Sequence, residues 1–205
     1  MKQDSSRPEF WETRYLTAVT PWDAGRVPPR LAAFLADEKP GRTVLIPGCG
    51  SGYEVAAFAA AGHAVTAIDF SAAAVARARQ NLGPLAGRVM LGDFFAVDLP
   101  LAAFDLVYER TFLCALPRHL WTAYARRVAR LTSEGGRLAG FFFFDSNEKG
   151  PPFGLKAGEL ESLLGPYFAR PVDESVPAEE SVDVLAGKER WQVWQRLSNN
   201  FNSML

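Results

Sequence analysis

The sequence predicts an α/β fold: a doubly wound, mainly parallel seven-stranded sheet with helices on both faces, a three-layer sandwich, preceded by an N-terminal helical flap. Three observations predict it. From residue 43 onward, apolar runs alternate with amphipathic stretches in the order β-α-β-α-β with further αβ units, the pattern of crossover connections between parallel strands. The first run, "TVLIP", passes directly into a tight glycine loop, "GCGSG", and an alanine-rich helix. A second apolar run, "AVTAID", then closes on Asp69, roughly 20 residues beyond the loop.

The elements follow in order. Residues 1–40 are rich in aromatic residues and proline and end in a short helical pattern, "PPRLAAFLADE", which reads as a flap. Residues 41–145 carry strands at "TVLIP", "AVTAID", "GRVMLGDFF", "FDLVYE" and "GGRLAGFFFF". Helices lie between them at "EVAAFAAAG", "SAAAVARARQNL" and "RHLWTAYARRVARL". Residues 146–198 supply a "KGPPFG" loop, a helix at "KAGELESLLG" and strands near "PYFARPVDES" and "ERWQVWQRL", which complete the sheet. The closing "SNNFNSML" reads as a dispensable tail. The expectation is one Rossmann-like domain spanning 1–205.

Composition narrows the function. A chain 48% hydrophobic and 22% charged can bury one sizeable core. Twenty-two basic against 23 acidic residues leave a net charge of -1, so no overall basic field argues for nucleic acid or an anionic membrane, and a small molecule is the expected partner. "MKQDSSRPEF" has no apolar run suited to a signal peptide, and "VAAFAAA" and "LAGFFFF" are too short to span a bilayer, so a cytoplasmic protein is expected. Two cysteines and two histidines, with no CxxC pair, disfavour a disulfide framework or a cysteine/histidine metal cage. Oligomeric state is not legible.

Gly48, Gly50 and Gly52 follow the first strand, where missing Cβ atoms let backbone N–H groups approach a ligand at a helix N-terminus. The spacing is GxGxG, with Tyr53 where a dinucleotide fingerprint would want a further glycine, and no GK[ST] follows. Asp69 is placed to accept the hydroxyls of a ribose, with Ser71 free to cap the next helix. In "GDFF", Asp93 can accept the exocyclic amine of an adenine while Phe94 covers the ring, leaving Phe95 to the core. That set fits an adenosine without phosphates.

Taken in order, "VLIPGCGSG", "AIDFS", "GDFF" and "FDLVYERTFLCAL" resemble the class I methyltransferases that use S-adenosylmethionine. "FWETRYLTAVTPWDAGRVPP", "FLCAL" and "GPPF" extend the resemblance to the thiopurine S-methyltransferase superfamily, especially its thiol and halide methyltransferase branch, over residues 10 to about 196. The resemblance implies the cofactor S-adenosyl-L-methionine, S-adenosyl-L-homocysteine as product, and a small soft acceptor: a thiol, a thiopurine-like compound or a halide. It further implies that Trp11 and Trp22, with Tyr15 between them, cover the methionine half. Gly48, beside Gly50, would contact the methionine amino group, Asp69 the ribose, and Asp93 with Phe94 the adenine.

Two positions depart from the pattern. Methyltransferases of this class usually carry an acid two residues before the first loop glycine, and this chain has Ile46, so the methionine ammonium is left to Glu109 or main-chain carbonyls. Plant-like members have Trp at Tyr15 and Tyr at Arg110; Arg110 resembles the thiopurine enzymes and is the candidate for positioning an anionic or aromatic thiol, against a structural ion pair. Cys114, in an apolar segment, reads as structural, and His119, among arginines, as a surface residue. On residues alone, a nicotinamide-dependent oxidoreductase and a non-catalytic S-adenosylmethionine-binding protein remain as alternatives.

Overall fold

In the computed structural model, which describes residues 4–147, 149–185 and 187–198, seven strands form one sheet. They are β1 (Thr43–Pro47), β2 (Ala64–Asp69), β3 (Val89–Leu91), β4 (Phe104–Arg110), β5 (Thr132–Phe143), β6 (Phe168–Ser175) and β7 (Glu189–Arg196). The order across the sheet is β3-β2-β1-β4-β5-β7-β6. Strands β1 to β5 run parallel, and β7 is antiparallel to both β5 and β6. The doubly wound, mainly parallel sheet read from the sequence is the one observed. Most of the tail, residues 199–205, lies outside the described residues.

The helices are α1 (Pro8–Leu16), α2 (Pro29–Asp37), α3 (Tyr53–Ala60), α4 (Ala72–Leu82), α5 (Trp121–Leu131) and α6 (Glu159–Leu164). Successive strand residues point to opposite faces, and both faces are covered, which is why the central strands read as nearly unbroken apolar runs. Val44, Ile46, Leu106 and Tyr108 pack with Leu31, Phe58 and Val75 of α2, α3 and α4. Leu45, Val107, Leu138 and Phe142 pack with Tyr124, Val128 and Leu160 of α5 and α6. Among the described residues, no helix is long and apolar enough to cross a membrane.

Two differences from the sequence reading have local causes. The third strand is only three residues long, because the Asp93 carboxylate accepts the Phe95 N–H at 2.8 Å and its carbonyl accepts those of Ala96 and Val97. "GDFF" is therefore a turn at the strand's end. Helix α1 falls in a segment with no clear apolar period. Pro8 starts it, and tertiary contacts hold it on α4: Glu12 accepts from the Ser71 hydroxyl at 2.7 Å and the Ala73 N–H at 2.9 Å, while Arg77 donates to the Tyr15 carbonyl at 3.1 Å.

Gly140 lies opposite Glu109 in the β4–β5 pairing, and a Cβ there would overlap the Glu109 carbonyl. Both neighbours are central strands, so the backbone cannot move aside. Gly140→Ala is expected to destabilise the fold by about 3 kcal/mol or more, read as a lowered urea midpoint; an unchanged midpoint would contradict the close approach.

Candidate active site

The chain reverses its direction of travel across the sheet between β1 and β4, and the loops after those two strands part to leave a crevice. A cavity of ≈ 620 Å³ opens there, bounded by the loops after β1, β2, β3 and β4 and roofed by residues 5–26. Its size suits a nucleoside-sized ligand with a small partner.

The glycine loop forms the floor. Gly48, Gly50 and Gly52 all have positive φ, at 62°, 53° and 80°, a conformation side chains rarely adopt. A Cβ on Gly50 would come within 2.7 Å of the Tyr15 hydroxyl, and one on Gly48 would strike the Phe112 ring. The loop is fixed from several sides. Its Gly50 N–H donates to Asp69 at 3.0 Å, its Cys49 N–H to the Ile68 carbonyl at 3.1 Å, and Asn81 holds the Ser51 carbonyl at 3.0 Å. From the flap, Asp23 accepts the Ser51 hydroxyl.

Asp69 ends β2 inside the cavity, 8% exposed. Burial raises its pKa, opposed by N–H bonds from Ser71 and Gly50. Those bonds use one lone pair on each oxygen, so both oxygens can still accept a hydroxyl. Ser71 caps α4 as expected, accepting the Ala74 N–H at 3.1 Å. In the roof, Trp11 meets Trp22 edge-to-face at 5.1 Å, and the Trp22 indole N–H points to the Tyr15 hydroxyl at 3.4 Å. All three aromatic residues line the cavity.

Arg110, at the end of β4, is the least satisfied group in the site. Its side chain is 8% exposed and lies over the Phe141 ring at 4.9 Å, and its one ion pair among the described residues, to Glu54, is at 4.0 Å. Its Nε and Nη2 have no hydrogen-bond partner among the described residues, and neither has the neighbouring Tyr108 hydroxyl. Buried donors left in that state are costly unless a ligand satisfies them.

Two expectations are corrected here. Glu109 does not line the cavity: strand alternation sends Tyr108 and Arg110 toward it and Glu109 to the opposite face. There the Glu109 carboxylate accepts the N–H groups of Phe112 at 3.0 Å and Leu113 at 3.2 Å and the Tyr124 hydroxyl at 3.0 Å. It fixes the corner after β4, where Thr111 has φ 57°, a strained value for a β-branched residue. The burial expected of Phe94 and Phe95 is reversed, although both line the cavity. Phe94 is 3% exposed and packed edge-to-face on Phe112 at 5.4 Å, while Phe95 is half-buried. The exposed Asp93 reaches the cavity between them.

Residues the sequence reading left out also line the cavity: Asp23, Glu54, and Val184 with Leu185 from the connection before β7. Pro151 and Pro152 of the "KGPPFG" loop line it as well. Cys114 is buried, with its thiol pKa pushed well up by burial, and it lies in the lining of the cavity. His119 is exposed, yet it stands on the cavity rim.

Comparisons with known proteins bear on the family and the fold. The family model described as thiopurine S-methyltransferase matches residues 6–197. A probable thiol methyltransferase 2 of Arabidopsis thaliana is 31% identical, covering 95% of this chain and 88% of its own. A thiopurine S-methyltransferase of Vibrio cholerae is 30% identical, covering 91% and 96%. The fold is similar to that of the Burkholderia thailandensis 1,6-didemethyltoxoflavin-N1-methyltransferase, solved with S-adenosylhomocysteine, with a TM-score of 0.74 at 20% identity over 93% of this chain and 87% of that one.

Burial raises the Glu109 pKa from 4.5 to about 7. The folded protein thus keeps a proton that the unfolded chain has released, so this group's contribution is intact below about pH 4.5 and is lost as pH rises through about 7. Glu109→Gln should remove that slope, a difference of about 3 kcal/mol at most, seen in urea midpoints at about pH 5 and about pH 7.5. S-adenosylhomocysteine affinity should stay within about twofold; a large loss would return Glu109 to the cavity.

Proposed function

Because the chain belongs to the thiopurine S-methyltransferase family, we propose that this S-adenosylmethionine-dependent methyltransferase acts on a small thiol, bound as its thiolate beside Arg110. The observation that carries the acceptor assignment is the Arg110 guanidinium, nearly buried, with Nε and Nη2 unpartnered in the cavity. An anion supplies what those donors lack. The family match also decides against the nicotinamide alternative.

The residues present fit the cofactor. The cradle under Gly50 would be filled by any Cβ, Asp69 keeps acceptor capacity for a ribose, and the aromatic roof offers faces to a cation. S-adenosylmethionine, when bound, supplies a methyl group on a sulfonium whose positive charge disappears on transfer. The chain's own part is mainly positional. Gly48 and Gly50 present backbone groups to the methionine half, Asp69 takes the ribose and Asp93 the adenine, while Trp11, Tyr15 and Trp22 exclude water from above. Arg110 holds the acceptor sulfur as an anion and aims it along the line of displacement.

No strong base is needed. A thiol of pKa roughly 8.5 already supplies several per cent thiolate near neutral pH, and a guanidinium beside it increases that share. The acceptor end is lined by Val184, Leu185, Pro151 and Pro152, a mostly apolar wall that favours a compact acceptor with little polar surface beyond its sulfur.

Two variants separate the halves of the site. Asp69→Ala should weaken S-adenosylhomocysteine binding by about 1–3 kcal/mol in calorimetry; an unchanged affinity would displace the ribose from this position. Arg110→Ala should lower kcat/KM for thiols by about tenfold or more, with cofactor affinity largely kept. Equal losses in both would move Arg110 from acceptor to cofactor.

A further inference from the structure

We propose that Glu54 is the carboxylate that receives the α-ammonium of the cofactor, in place of the acid missing at Ile46. The inference rests on the reading of this cavity as an S-adenosylmethionine site. Ile46 is 4% exposed and packs in the apolar layer between β1 and the helices above it, so no charge is available where the class usually has one. A cationic group brought into a nearly buried cavity still needs a counter-charge.

Four described acids line the cavity: Asp23, Glu54, Asp69 and Asp93. Three are committed elsewhere. Asp23 accepts the Gly25 N–H and the Ser51 hydroxyl, tying flap to loop. Asp69 accepts from Gly50 and Ser71 at the end of β2, and Asp93 is an exposed turn residue after β3 that accepts from Phe95. Glu54 differs from all three. Its side chain is 16% exposed, its own N–H bonds its carboxylate but none of the described side chains does, and its one ion pair among the described residues lies at the outer limit of such contacts, 4.0 Å from Arg110 Nη1.

Position and chemistry agree. Glu54 is in the first turn of α3, two residues after Gly52 and therefore immediately beyond the loop that cradles the methionine half. Burial pushes its pKa up, and the Arg110 charge only partly offsets this, so a second cation beside it would favour the ionised form. The guanidinium of Arg110 next to it keeps two free donors. Glu54 thus stands between two positive groups, one belonging to the chain and one to the ligand, and prevents their repulsion.

The test compares two ligands by calorimetry. S-adenosylhomocysteine carries the α-ammonium; 5′-methylthioadenosine keeps the adenosine and the thioether but has no amino-acid end. Glu54→Gln should weaken S-adenosylhomocysteine binding by about tenfold or more and leave 5′-methylthioadenosine within about twofold. Unchanged binding of the first ligand, or equal loss of both, would overturn the assignment. Should Glu54→Gln fail to fold, Glu54→Asp, which withdraws the charge by one methylene, must show the same selective loss, and wild-type affinity for S-adenosylhomocysteine in that variant would equally overturn it. Wild-type protein that binds neither ligand would instead refute the underlying reading of the cavity, whatever the variants do.

Discussion

The structure depends most on the backbone path from Gly48 to Gly52, where three left-handed residues turn the chain from β1 into α3 within a single turn's length. That path opens the floor of the cavity and leaves N–H groups at a helix N-terminus. Glycine takes this route without strain but holds it weakly in an isolated chain, so its restraints come from β2, α4 and the flap. Ile68 and Asp69 hold it from β2, Asn81 from α4 and Asp23 from the flap. Three of these, Asp23, Ile68 and Asp69, also line the cavity, so the groups that shape the floor contribute to its surroundings.

The flap is built into the same network. Glu12 accepts from the Ser71 hydroxyl and the Ala73 N–H, so it helps satisfy the exposed donors at the start of α4, one turn beyond Asp69. Arg77 on α4 returns a bond to the Tyr15 carbonyl. Helix α1 is therefore docked by contacts of its own. Ordering the aromatic roof before a ligand arrives removes part of the entropy that binding would otherwise lose.

The sheet was legible because strands covered on both faces must be apolar nearly throughout, and the glycine loop because only glycine tolerates its backbone. Other features failed for physical reasons. Glu109 and Arg110 are adjacent in sequence and opposite in space, so assigning both to one site contradicts the two-residue period of a strand. In "GDFF" the chain turns immediately after the strand, which placed Phe94 in the core and left Phe95 nearer the surface. Helix α1 is specified by partners on α4 roughly 60 residues away, a signal that local pattern does not carry. Val184 and Leu185 reach the cavity only because β7 returns antiparallel beside β5. Glu54 was hidden in plain view, since an acid in the first turn of a helix is common for dipole reasons alone.

Charge balance links the two ends of the cavity. A sulfonium cofactor and a guanidinium share one poorly solvated space, where like charges repel far more than in water. Tolerating both requires negative groups between or beside them, and the sheet supplies few: Asp69 already accepts from the glycine loop, Glu109 points away, and the buried Glu189 of β7, which accepts the Ser181 hydroxyl, acts on Arg110 through its charge. On the proposed placement of Glu54 against the ammonium, Arg110 keeps Nε and Nη2 without hydrogen-bond partners among the described residues at the acceptor end. A neutral acceptor without a hydrogen-bond acceptor would leave those two nitrogens buried without partners, whereas a thiolate would complete their hydrogen bonds and bring electron density to the methyl group. The proposed preference for a sulfur anion thus has its root in the same scarcity of acids that makes Ile46 conspicuous.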